Sequence, residues 1–118
     1  MGDYDKNPEE GIKCTIDELI DYCQNLPSKW LPTDKNVEFK YKTGMTIDDI
    51  QGYVRDLRKE YYYEELDDLT PGHSGKMYVF KRLIQEQYWC YIKVKVNRTS
   101  RNELVLIVSF HDDERTKF

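Results

Sequence analysis

Histidine occurs only twice, at His73 and His111, so a three-imidazole zinc site cannot be assembled. Cysteine is nearly as scarce. The odd number of Cys14, Cys23 and Cys90, their wide spacing and the absence of any C-x-x-C pair argue against both a disulfide framework and a thiolate metal site. No segment approaches the roughly 20 apolar residues that span a bilayer. Met1-Gly2-Asp3-Tyr4-Asp5-Lys6 lacks the apolar stretch of a signal peptide. Gly72 and Gly75 are not followed by the lysine-hydroxyl pair of a phosphate loop, which removes the ordinary nucleotide-binding motif. Together these gaps predict a cytoplasmic protein with no bound metal, no small-molecule cofactor and no membrane contact.

What is present is a chain of 118 residues, 39% apolar and 34% charged, with a net charge of −4. That length suits one domain over 1–118, able to bury roughly two-thirds of its unfolded surface without disulfides. Residues 1–14 read as a poorly ordered lead. Charge is uneven: residues 1–73 carry nine Lys/Arg against 17 Asp/Glu, whereas residues 74–110 carry seven against two. An acidic whole does not coat nucleic acid, but a local basic region can hold a few phosphates, because only charges within about a Debye length count.

Thr15-Ile16-Asp17-Glu18 has the form of a capping box, and the apolar residues Ile16, Leu19, Ile20, Cys23 and Leu26 then fall on one helical face up to Pro27. Residues 31–36 read as a loop, and Val37-Glu38-Phe39-Lys40-Tyr41 alternates like a short strand. A second helix starts at Thr46, with Asp48 and Asp49 in its first turn and Ile47, Ile50, Val54 and Leu57 as its buried stripe. Thr70-Pro71-Gly72-His73-Ser74-Gly75 is turn chemistry. Strand patterns occupy 76–83, 88–96 and 104–110, the last two joined as an antiparallel hairpin. The expected fold is α+β, two or three helices packed on a mainly antiparallel sheet.

In the middle strand Cys90, Ile92, Val94 and Val96 point to one face, and Tyr91, Lys93 and Lys95 to the other. The last strand is apolar on both faces, Leu104, Leu106, Val108 and Phe110 against Val105, Ile107, Ser109 and His111, so it reads as central. The register expected buries Ile92, Val94 and Val108 against the helix at 47–57.

From residue 46 to residue 111 the order of features resembles the MqsR-type toxins of bacterial toxin–antitoxin modules, which share the RelE-like fold. The residues that carry the resemblance are 57 to 63 with Asp67-Asp68, then Tyr91-Ile92-Lys93-Val94-Lys95-Val96, then Ile107-Val108-Ser109-Phe110-His111. It implies a ribonuclease that cuts messenger RNA without a metal and is silenced by an antitoxin protein. The family's strand tyrosine and lysine match Tyr91 and Lys93, and the position after Ser-Phe matches His111. Two positions depart from the pattern. Glu64 stands where some members have lysine, and Tyr78 falls near a family glutamine.

Cleaving RNA without a metal requires a base for the 2′-hydroxyl, cations for the extra charge on phosphorus and a proton for the 5′-oxygen. His111 suits the proton transfer, because an imidazole serves as acid or base near neutrality. Lys93 suits the charge and Tyr91 the positioning or stacking. Lys81, Arg82 and Lys95, with Tyr78, are the expected RNA contacts around them. A second reading stays open: a noncatalytic interaction module on the same fold, binding a protein through its acidic N-terminal half and tyrosine-rich patch.

Overall fold

The structure, a computed structural model, describes residues 10–98 and 102–113. A two-residue strand, β1 (Glu10–Gly11), precedes the first helix. Thr15 caps that helix, α1 (Ile16–Asn25): its hydroxyl accepts from the Glu18 amide at 3.1 Å, and the Glu18 carboxylate accepts from the Thr15 amide at 2.8 Å. The two donors are satisfied reciprocally, and Leu19 and Cys23 turn inward. A short strand, β2 (Ser28–Trp30), follows.

The next segment corrects the sequence reading. Residues expected as a loop and then a strand form a second helix, α2 (Asp34–Thr43), capped by Thr33 and closed by Gly44 at φ 73°. Alternation in Val37-Glu38-Phe39-Lys40-Tyr41 is a weak signal, because Asn36 and Phe39 are also three apart, and those two are the buried pair. The third helix, α3 (Ile47–Arg55), has the Thr46 cap expected, completed by Asp49. Ile50, Val54 and Leu57 are buried, but Ile47 is 42% exposed, so the stripe starts one turn later than expected.

Four further strands complete the chain: β3 (Tyr62–Asp67), β4 (Ser74–Ile84), β5 (Tyr88–Arg98) and β6 (Glu103–Asp112). The aromatic and acidic run at 62–67 is therefore an edge strand, paired antiparallel to β4. Sheet order is β2-β6-β5-β1-β4-β3, with β4 also paired directly to β5. β4 and β5 pair from Tyr78 and Val94 to Ile84 and Tyr88, then part, and β1 enters the opening parallel to β4. The entry is tight. Gly75 has φ 95°, and a Cβ there would be driven into the Gly11 carbonyl, so glycine is required on steric grounds. Of the lead read as poorly ordered, 10–14 are thus described and Gly11 is buried, while 1–9 lie outside the described residues.

Three helices on a mostly antiparallel sheet make the α+β fold expected. One face of the sheet packs Tyr78, Phe80, Ile92, Val94, Val105, Ile107 and Phe110 with Leu19, Phe39, Ile50 and Val54 of the helices. Each such side chain contributes roughly 1.5–3 kcal/mol of burial. No helix among the described residues is long and apolar enough to cross a membrane.

A bulge in β6 sets its faces. Val94 pairs with Ile107 but Lys93 pairs with Ser109, leaving Val108 without a partner position. Val105 and Ile107 therefore face the core, as does Phe110 beyond the bulge, whereas Leu106, Ser109 and His111 share the opposite face. This corrects the expected register, in which Val108 was inward; it is only half-buried. Asn36 closes the strand edge at this point. Its amide donates to the Leu31 and Val108 carbonyls at 2.8 and 3.0 Å, and its side-chain oxygen accepts from the Phe110 amide at 2.9 Å. One side chain thus takes the place of a neighbouring strand. Asn36→Ala, losing three such bonds, is expected to cost roughly 2–3 kcal/mol in urea unfolding. A change near zero would show that β6 does not need the clamp.

Candidate active site

Cross-strand pairing places Lys81, Tyr91 and His111 in one row on the face away from the helices, and Val79, Lys93 and Ser109 in the next. Without the bulge at Val108, Tyr91 would stand opposite Phe110; with it, Tyr91 stands opposite His111. The two rings stack, with centroids 5.5 Å apart and planes 11° from parallel. The His111 Nδ1 lies 2.9 Å from the Asp112 carbonyl oxygen. With a proton on Nδ1, that nitrogen donates to the carbonyl and Nε2 keeps its lone pair.

Tyr91, Lys93, Ser109 and His111 line a cleft of about 230 Å³ together with Lys35, Asp112 and Asp113. Lys93 is half-buried there. Burial pulls its ammonium below the ordinary lysine value, and the charge of Asp68 opposes that pull. A second cleft of about 420 Å³ adjoins on the α2 side, lined by Lys35, Glu38, Phe39, Lys42, His111 and Asp112. Two of the carboxylates are held by cations: Asp112 by Lys42 at 2.6 Å and the buried Asp113 by Lys81 at 3.0 Å. The lining of the two clefts thus carries three lysines, 35, 42 and 93, beside three carboxylates, Glu38, Asp112 and Asp113, and Lys93 is the lysine in the row next to His111.

Of the residues singled out from the sequence, Tyr91, Lys93 and His111 come together, with Lys81 one step away under the Tyr63 ring. Three do not. Tyr78 is fully buried in the core, and its hydroxyl accepts from the Cys14 amide at 2.9 Å. Burial pushes its phenol up to about 12. Arg82 lies on the helix side between the Tyr53 and Tyr61 rings and pairs with Asp56 at 3.3 Å. Lys95 shares the face of Lys93 but is 1% exposed, its ammonium 2.6 Å from Asp68. Tyr78 and Lys95 thus have their polar groups engaged inside the fold, whereas Arg82 is half-buried and meets an exposed carboxylate on the other face of the sheet.

Sequence reasoning missed Lys35, Asp112 and Asp113. Lys35 enters the site only because 34–43 is helical, so the strand reading of that segment concealed it. Cys90 faces the core as expected, and desolvation raises its thiol well above the usual range, as burial takes Cys23 to about 12. Among the described residues, no group of three or more His, Cys, Asp or Glu is arranged to hold a metal ion.

No protein-family model, curated protein or solved structure matches the chain. The likeness to MqsR-type toxins therefore rests on the residues quoted for it.

Proposed function

We propose that this chain is a toxin-like endoribonuclease that cuts single-stranded messenger RNA by metal-independent acid/base chemistry. The observation that carries the proposal is the Tyr91–His111 stack, with Lys93 one row along, at a cleft that Lys35 also lines. The Nε2 of His111 takes the proton of a 2′-hydroxyl, the freed 2′-oxygen attacks phosphorus, and Lys93 balances the added charge on the phosphate oxygens. Tyr91 holds the imidazole plane and offers a face for a neighbouring base. The 5′-oxygen leaves with a proton from water and the hydroxide so formed takes the proton held on Nε2, giving a 2′,3′-cyclic phosphate, a 5′-hydroxyl and the starting imidazole.

A cytoplasmic location and neutralisation by a cognate antitoxin protein belong to the same proposal. The noncatalytic alternative has less surface to work with, since Tyr61 and Tyr62 pack against the core and Tyr63 alone of that run is exposed.

The test is cleavage of a single-stranded RNA in excess chelator beside a DNA of the same sequence. RNA should yield 5′-hydroxyl ends while the DNA, lacking 2′-hydroxyls, stays whole. Lys93→Ala should slow cleavage about tenfold, with a smaller effect at high salt, where phosphate contacts are screened. Intact RNA in chelator, with no growth arrest when the protein is expressed without an antitoxin, would refute the proposal.

A further inference from the structure

Lys35, Glu38 and Lys42 fall at i, i+3 and i+7 on α2, which aligns them along one helical face above the larger cleft. That cleft and the smaller one over the sheet have Lys35, His111 and Asp112 in common. A group that borders both clefts marks their junction, and His111 at the junction is where the proposed reaction places the scissile phosphate. The larger cleft, about 420 Å³, lies within the range of roughly 300–1,000 Å³ typical of sites for small organic molecules. Phe39 supplies its apolar floor, held from behind by Tyr88 and Phe110. Lys42 at its rim is engaged by Asp112 at 2.6 Å and lies over the Tyr88 ring. Glu38, exposed at the same rim, is an acceptor without any donor capacity of its own when ionised.

We infer that the α2 cleft is a second nucleotide subsite in which Lys35 holds a backbone phosphate at the junction and Glu38 accepts from an amino group on the base. Adenine, cytosine and guanine carry such an amino group and uracil does not, so the subsite favours the first three. This rests on the endoribonuclease reading and extends it to the recognition of a neighbouring base.

The experiment uses 2′-O-methyl 8-mers, which bind but cannot be cut, with adenine, cytosine, guanine or uracil at one position of an otherwise uracil chain. The wild-type protein should bind the amino-bearing oligomers roughly 5- to 10-fold more tightly than all-uracil, a bonded base contact being of that order. Lys35→Gln should weaken binding of every oligomer about tenfold and lower the log–log salt slope by about 0.7, the share of one phosphate on a single strand. Glu38→Ala should erase the base preference and keep the salt slope. Both side chains are exposed, so the melting temperature serves as the control for folding.

Unchanged affinity and slope in Lys35→Gln, or a preference kept in Glu38→Ala, would overturn the subsite. The endoribonuclease reading would survive either result provided that the wild type still cuts RNA in chelator. No binding of any oligomer by the wild type, with no cleavage, would overturn both.

Discussion

His111→Ala is expected to lower the rate of RNA cleavage by about 10²–10⁴-fold, the usual worth of a positioned proton-transfer group. The loss should appear in single-turnover rate and far less in affinity, since the neighbouring lysines, not the imidazole, hold the phosphates. Stability should change little. His111 is half-buried next to the end of β6, and the strand around it is fixed by the Asn36 clamp and by Phe110 in the core. The substitution removes a ring stacked on Tyr91, a contact of roughly 0.5–1.5 kcal/mol, and leaves the backbone pairing intact. A variant that stays folded, melting at most several degrees below the wild type, yet cuts no RNA places the base at His111. A variant as active and as toxic as the wild type would remove His111 from the mechanism, and the stack would then be packing alone.

The helices at 16–25 and 47–55 were legible because their starts are local: a hydroxyl and a carboxylate three residues apart satisfy each other's backbone amides wherever the chain then runs. The three long strands were legible from their apolar and β-branched runs, and in the middle one alternation also gave the side on which Ile92 and Lys93 lie. The bulge at Val108 was not, since an inserted residue changes parity without changing composition. With parity unbroken, His111 would have shared a face with Ile107, and the face opposite the helices would have lacked its imidazole. Lys95 shows a different limit. Nothing in Tyr-Ile-Lys-Val-Lys-Val separates Lys93 from Lys95, because what buries the second is Asp68, 27 residues earlier in the chain. The helical character of 34–43 was missed for a similar reason: its inward pair, Asn36 and Phe39, is defined by the β6 edge and the core, which no local pattern reports.

Asp68→Ala is expected to cost about 3–5 kcal/mol, because it strands the Lys95 ammonium in a site where both partners are almost wholly shielded from water. The Asp68 carboxylate also accepts from the Thr70 amide at 3.0 Å and lies 3.6 Å from His73 Nδ1, so the same group fixes the turn after β3. Burial alone would raise its pKa, but the Lys95 hydrogen bond, with the Thr70 bonds and the Lys95 charge, outweighs burial and holds it at about 2. The folded value lies below the ordinary 3.8, so protons bind the unfolded chain more readily. Its contribution to stability is therefore complete above about pH 4 and is lost as pH falls through about 2, amounting to roughly 2 kcal/mol by linkage. Mutation costs more than acid because a protonated carboxyl still accepts a hydrogen bond from Lys95, whereas alanine offers none. Urea unfolding at pH 6 and pH 2.5 should show the wild type losing part of this increment and Asp68→Ala losing none of it. Asp68→Leu combined with Lys95→Met should recover much of the loss, since a matched apolar pair leaves no buried charge. The turn at 69–71 lines a groove with Met77 and Lys93, so releasing it also alters the surroundings of the proposed phosphate-binding lysine. Equal acid sensitivity in the wild type and Asp68→Ala would show that other carboxylates, and not this buried pair, set the acid limit of the fold.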